Sequence, residues 1–297
     1  MSDAGTTVIA VASGKGGTGK TTVAAHLAIR GAREMPTVLV DLDVEAPDAS
    51  GYFKGVRRSG DASEVSVLVP RLVEARCTGC GLCAKACRFG AILSIGGVVT
   101  IDPKVCKGCG SCVNACPAAA LEGIPMTVGQ TSSFDADGLA MLEGRMAIGD
   151  IRSTAVIEAA KKRAAESRAA LQVRDCPPGV SCPATHAIEG ADYVVLVAEP
   201  TEFSIHDLGA AARLARGRGI RAGVVINKDG FGDADVAGFC EREGIPVIGR
   251  IAFERERAAS GAAAELWSDD AAISGEMDAI LARALAAAGA RTVGGRR

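Results

Sequence analysis

The sequence predicts an α/β protein: a doubly wound, mostly parallel sheet interrupted by a small inserted α+β module. Six short runs rich in β-branched residues point to the sheet, at residues 6–12, 37–43, 171–175, 193–198, 222–227 and 245–251. Most are continuous apolar runs without alternation, the pattern of strands buried on both faces of a parallel sheet. Helical stretches separate the runs, and strands that alternate with helices make a doubly wound sheet. A cysteine-rich segment at residues 67–125 breaks this rhythm, and it contains the one internal repeat of the chain.

Taken in order, the first run leads straight into GKGGTGKTT at residues 14–22. The next stretch, 22–30, reads as a helix in which Val23 and Leu27 share a face and Gly31 closes the end. The run at 37–43 enters DLDVEAPD, and the cysteine module follows. Residues 150–170 read as a longer helix, with Ile151, Ala155 and Ala159 set four apart. The run at 171–175 passes into RDCPPGVSCP, and three more runs complete the sheet. From Ala284 the periodicity fades, as at a frayed helix end. The expected organisation is a discontinuous sheet domain, 1–66 and 126–297, with an inserted domain at 67–125 whose ends re-enter the sheet close together.

At 297 residues and 48% apolar content the chain can bury one large core and a small extra module. Aromatics are 3%, so aliphatic side chains must fill that core. Lys and Arg total 33 against 35 Asp and Glu, a balance that argues against a nucleic-acid binder held by phosphate neutralisation. The short basic runs Arg57-Arg58 and Lys161-Lys162-Arg163 read as solvated faces. No apolar stretch approaches the ~20 residues that span a bilayer. The N-terminus has no basic region followed by a long apolar segment, so a cytoplasmic protein with reduced thiols is expected.

Eight of the eleven cysteines form two copies of C-x2-C-x2-C-x3-C: Cys77, Cys80, Cys83, Cys87 and, 29 residues on, Cys106, Cys109, Cys112, Cys116. Structural zinc usually takes two separated C-x2-C pairs, and this spacing crowds too many thiolates for that. The spacing suits a cubane iron–sulfur cluster. The segment resembles a bacterial ferredoxin with two [4Fe–4S] clusters over nearly its whole length. That resemblance implies crossed ligation: Cys77, Cys80, Cys83 and Cys116 for one cluster, Cys87, Cys106, Cys109 and Cys112 for the other. Pro117 follows Cys116 as in such ferredoxins, but Arg88 follows Cys87. A cation there would favour the reduced form of its cluster, and the alternative is a side chain turned to solvent.

In the glycine-rich loop, Gly14, Gly16, Gly17 and Gly19 let backbone N–H groups curl around phosphate oxygens at a helix N-terminus, with Thr18 and Thr22 in the same turn. Lys20 is placed for the terminal phosphates and the Thr21 hydroxyl for Mg²⁺. With Lys15 just after Gly14, the loop resembles the deviant Walker A motif of MinD/Mrp/ParA-type P-loop ATPases. The resemblance covers nearly all of the chain, including CPPG and the FERE stretch at 253–256, and is nearest to members carrying a ferredoxin insert. It implies a P-loop NTPase fold and a homodimer or heterodimer sandwiching two ATP molecules, with Lys15 touching the partner's nucleotide. It further implies Asp41 and Asp175 near Mg²⁺, Asp43 positioning the attacking water, Gly179 as a swinging point, and Asn227 reading the adenine edge. An ordinary solvated Lys15 and a generic turn asparagine at Asn227 are the competing readings.

Cys176 and Cys182 flank PPGVS. In a symmetric dimer Cys182 could help bind a further, bridging cluster, or both cysteines could simply pack. Cys240 reads as core, and His26, His186 and His206 share no metal-ligand spacing. Three functions fit. The first is an ATPase whose hydrolysis gates a low-potential electron to an unidentified redox partner, with Lys15, Lys20 and Asp43 as catalytic residues. The second is an iron–sulfur carrier or assembly scaffold, and the third a MinD-like positioning ATPase with structural clusters. The alanine-rich C-terminus shows no strong membrane-binding amphipathic helix, which weighs against the third.

Overall fold

The computed structural model describes residues 5–136, 138–255, 266 and 271–289. In chain order its elements are β1 (Thr7–Ala12), α1 (Lys20–Ala32), β2 (Thr37–Asp41), β3 (Arg57–Arg58), β4 (Ser63–Leu72), α2 (Leu82–Ala86), β5 (Ile92–Ile95), β6 (Val98–Ile101), α3 (Ser111–Asn114), β7 (Leu121–Ala136) and β8 (Leu139–Met146). There follow α4 (Ser153–Ala165), β9 (Leu171–Asp175), α5 (Cys182–Ile188), β10 (Tyr193–Ala198), α6 (Glu202–Gly217), β11 (Ala222–Asp229), α7 (Val236–Glu243), β12 (Val247–Ala252) and α8 (Ala271–Gly289).

The chain folds as two compact units. One comprises Met1–Ala62, Thr131–Arg145 and Ile157–Arg297; the other comprises Ser63–Gln130 and Met146–Val156. The second unit is therefore wider than the cysteine segment alone and takes in a second stretch of chain.

In the larger unit the strand order is β12-β11-β10-β1-β9-β2-β8-β7-β3. From β12 to β8 every neighbouring pair is parallel. The central strands β1, β2, β9 and β10 are almost wholly buried, which explains the apolar runs of β1, β2 and β10, while β9 also buries Gln172, Arg174 and Asp175. One face packs Val23 and Leu27 of α1 and Met277 and Ile280 of α8 against Ile9, Leu39, Val173 and Val195. Each such aliphatic side chain contributes about 1.5–3 kcal/mol by leaving water.

Several boundaries depart from expectation for local reasons. β2 stops at Asp41 because its carboxylate accepts the N–H groups of Asp43, Asp48 and Ala49, each at 3.0 Å, and turns the chain. Gly31 does not close α1. It lies inside the helix, where a Cβ would come within 2.6 Å of Leu171 Cδ2. The helix expected at 150–170 spans only Ser153–Ala165. Asp150 Oδ1 accepts the N–H groups of Ile151 and Arg152 and delays its start, and Arg168 at φ 54° lies beyond its end. The buried stripe of α4 is Val156, Ile157, Ala160 and Ala164, while Ile151 is exposed. Ala284 is not in a frayed end: α8 continues to Gly289, with Ala284 and Ala288 buried.

In the cysteine unit β4 pairs with β7, and β5–β6 form an antiparallel hairpin in the register Ile92↔Ile101. Ile92 and Leu121 form a small core with Cys83 and Cys112, the cysteines carried by α2 and α3.

Candidate functional site

The loop between β1 and α1 is shaped by two left-handed glycines, Gly17 at φ 79° and Gly19 at φ 88°. A Cβ at Gly19 would meet Asn227 Nδ2 at 2.2 Å, and one at Gly14 would meet the Asp207 backbone at 2.3 Å. The glycines thus serve close approach as well as turn geometry. Asn227 Nδ2 donates to the Thr18 carbonyl at 2.7 Å. Lys228 Nζ donates to the Gly17 carbonyl at 2.8 Å, so two residues of β11 fasten the loop.

Beside the loop lies a cavity of about 470 Å³ lined by loop residues including Lys15, Lys20, Thr21 and Asp43, and by Asn227, Phe231, Ile251, Phe253 and Glu254. Phe231 and Phe253 stand with ring centroids 4.8 Å apart. Of the FERE stretch, Phe253 and Glu254 line the cavity, and Glu256 lies outside the described residues.

Lys20 is buried, with Nζ 2.6 Å from Asp175 Oδ1. Burial opposes its charge, but the attraction and hydrogen bond of Asp175 outweigh that and raise its pKa. Asp41, Asp48 and Asp175 bring carboxylate oxygens within 4.8 Å of one another. Burial and the nearby Asp175 push Asp41 well above the usual carboxylate range, against the N–H donors and Lys20. Asp43 is pushed up to about 6, by burial first, with Lys20 opposing and Asp175, Asp48 and Glu45 repelling its charge. Asp48 is raised by burial and Asp175, while its bond to the Thr21 hydroxyl works the other way. Asp175 Oδ2 and Thr18 Oγ1 are buried with no hydrogen-bond partner among the described residues. Three crowded carboxylates, an orphaned buried oxygen and one compensating ammonium form a donor set that suits a hard divalent cation.

Lys15 Nζ is paired with Glu199 Oε1, and Lys228 Nζ holds Glu199 Oε2 at 2.9 Å. Glu199, Lys228 and Asp48 were not legible as site residues. A single charged residue at a strand end carries no motif: the packing of β10 and β11 beside the loop brings in Glu199 and Lys228, and the turn held by Asp41 brings in Asp48. Cys182 begins α5 and is exposed, whereas Cys176 is fully buried and burial pushes its thiol up to about 12. Cys240 is buried, and burial pushes it up to about 11. His26 is buried and held down near 4 by desolvation and Arg30. His186 bonds Glu158 at 2.9 Å, and His206 lies beside Asp207 at 3.3 Å.

In the cysteine unit the repeat shows in the backbone. Gly79 and Gly81 have φ 68° and 70°, and their counterparts Gly108 and Gly110 both have φ 71°. One such turn points an amide at sulfur, Gly108 N–H at 3.3 Å from Cys106 Sγ, and Ala120 N–H lies 3.3 Å from Cys116 Sγ. The Leu82 amide and the Thr78 side chain hold the Cys80 thiol below its usual range, and the Ser111 side chain and amide do the same for Cys109. Cys77, Cys80, Cys83 and Cys116 line one cavity. Cys87, Cys106, Cys109 and Cys112 line another, of about 280 Å³. Each foursome combines three cysteines of one repeat with the fourth of the other. Among the described residues no three cysteine sulfurs fall within 4.8 Å of one another. Four thiolates around each cavity form a soft donor set of the kind an iron–sulfur centre would take.

No helix among the described residues is long and apolar enough to cross a membrane. The chain is 33% identical, over 67% of its length and 70% of theirs, to the uncharacterized protein MJ0578 of Methanocaldococcus jannaschii. It is 26% identical to the uncharacterized protein MJ0579 of the same organism, over 77% of this chain and 82% of that protein. Its fold is similar to that of the septum site-determining protein MinD from Pyrococcus horikoshii, solved with Mg-ADP, at a TM-score of 0.56 and 17% identity over 94% of this chain and 95% of that one. Residues 9–265 match the CobQ/CobB/MinD/ParA nucleotide binding domain. The phosphate-loop geometry and this match agree, and the chain belongs to the CobQ/CobB/MinD/ParA family of P-loop nucleotide-binding proteins.

Proposed function

We propose that this chain is an Mg²⁺-dependent ATPase that holds two [4Fe–4S] clusters and couples its nucleotide state to one-electron transfer. The observation that carries the reading is the gathering of eight cysteines into two crossed foursomes in a chain whose phosphate loop is intact. When bound, the clusters supply one-electron redox chemistry. The electron comes from a low-potential one-electron donor protein and passes to a low-potential acceptor protein.

The chain's own residues have distinct tasks. The amides of the loop and Lys20 bind the β- and γ-phosphates, and Thr21, Asp41, Asp48 and Asp175 hold Mg²⁺ directly or through water. Asp43 orients the attacking water, and Lys15 acts across a dimer of two nucleotide-bound copies or of this chain with a related ATPase. Asn227 and the Phe231–Phe253 pair line the same cavity and would take the base. β7 and α4 each begin in the cysteine unit and end in the nucleotide unit.

The likeness of the fold to MinD favours a second reading, a positioning ATPase with structural clusters. One experiment separates the two: iron and acid-labile sulfide are counted, and the cluster potentials are measured with Mg-ATP and with Mg-ADP. Potentials that differ between the nucleotides support coupled electron transfer. Tight clusters indifferent to nucleotide favour the positioning role, and iron that is lost on ATP turnover favours a carrier.

A further inference from the structure

Arg152 stands outside every motif in the sequence, yet it is one of the most deeply buried cations in the protein, at 2% exposure. A buried guanidinium is strongly destabilising unless its charge is compensated. Nη2 donates to the Pro103 carbonyl at 2.7 Å and Nη1 meets Met126 Sδ at 3.4 Å. Nε is buried without a hydrogen-bond partner among the described residues. Asp150 lies at 3.5 Å through Oδ2, while its Oδ1 is occupied by the amides of Ile151 and Arg152. Asp150 balances the charge at 3.5 Å, but Nε keeps an unmet hydrogen-bonding capacity among the described residues.

Its surroundings point to what answers it. Met126, which touches the guanidinium, packs against the core of Val69, Ala91 and Cys106, as does Cys87. Pro103 lies three residues before Cys106. Lys107, the next residue after Cys106, donates through Nζ to the carbonyl of Ile151, the residue before Arg152, at 2.9 Å. The cavity of Cys77, Cys80, Cys83 and Cys116, by contrast, is lined by no charged residue. Arg88, the cation visible in the motif itself, is exposed, and solvent screens it.

We propose that Arg152 is the buried counter-cation of the centre formed by Cys87, Cys106, Cys109 and Cys112, and that it holds this centre's reduction potential above that of the other. The inference rests on the cluster reading above. A cubane with four thiolates gains one negative charge when it takes up an electron. A cation in a low-dielectric setting favours that reduced form, and a nearby anion disfavours it. The centre next to Arg152 is then the one that stays reduced, and the uncompensated centre is the stronger reductant.

The test is an EPR-monitored redox titration of the cluster-loaded full chain, with dithionite as the reductant. The wild type should show two potentials. A Cys77→Ser background, which disables the other centre, assigns the higher one to the foursome beside Arg152. Arg152→Met should lower that potential and leave the other unchanged, Arg152→Lys should keep it near the wild-type value, and Asp150→Asn should raise it. The opposite signs of Arg152→Met and Asp150→Asn are an effect that loss of packing alone does not produce. If Arg152→Met does not fold, Asp150→Asn decides alone. An unmoved potential in Asp150→Asn, or equal shifts at both centres, overturns the proposal. A wild type with no reducible centre overturns the cluster reading itself, and the inference with it.

Discussion

Asp43→Asn should make the metal-free, nucleotide-free protein more stable while disabling it. In the folded chain the Asp43 carboxyl is pushed from 3.8 up to about 6, chiefly by burial. Because the folded value is raised, its contribution favours the fold below about pH 4 and is lost as pH rises through about 6. The difference of roughly 2 pKa units corresponds to about 3 kcal/mol. Partial exposure of the side chain screens this to about 1–2 kcal/mol. Asparagine removes the titration and keeps the shape. Urea denaturation followed by far-UV circular dichroism should show little gain for the variant at pH 4 and about 1–2 kcal/mol at pH 7.5. ATP hydrolysis should fall by ~10²-fold or more, as expected for loss of a group that handles the attacking water. A gain of the same size at both pH values would show that the carboxylate is not strained by burial and would refute the reasoning. Retained hydrolysis would separately remove Asp43 from its assigned role.

Three further outcomes follow from contacts in the two units. Lys20→Met leaves the fully buried Asp175 without its cation and should cost about 3–5 kcal/mol in urea unfolding besides abolishing nucleotide binding; an unchanged midpoint would contradict the pairing. Gly31→Ala, which on an exposed helix would add up to ~1 kcal/mol, should here cost about 1–3 kcal/mol because its Cβ would press on Leu171. A more stable variant would refute the close-approach account. Cys87→Ser should remove about half of the iron and spare the centre that includes Cys116, as crossed ligation requires; loss of the centre of Cys77, Cys80 and Cys83 instead would exclude the crossing.

The elements legible in the sequence were those whose environment is uniform. β10 is buried at every position, so its unbroken apolar run announces both type and extent. β7 alternates buried, half-buried and exposed residues over sixteen positions and carries Gly123, Pro125 and Gly129. No single periodicity marks it, and tertiary pairing settles it. The same contrast holds at the sites. The phosphate loop and the cysteines are contiguous motifs whose spacing encodes their geometry. Asp48 reaches the acidic trio only because Asp41 folds the chain back on itself. Arg152 reaches its surroundings only because a strap distant in sequence joins the cysteine unit.

The arrangement around Glu199 has a consequence for how readily Lys15 can change partners. Breaking a lone ion pair at a carboxylate this well covered would strand a charge and cost about 3–5 kcal/mol. Here Lys228 already holds the second oxygen at 2.9 Å and is itself anchored to the Gly17 carbonyl. When Lys15 leaves, Glu199 stays neutralised. Freeing it costs about what an exposed ion pair is worth, ~0–1 kcal/mol. Lys228 thus works as ballast: it keeps the anion settled, so that a modest attraction from a phosphate, well within what one charge-assisted contact supplies, is enough to draw Lys15 away.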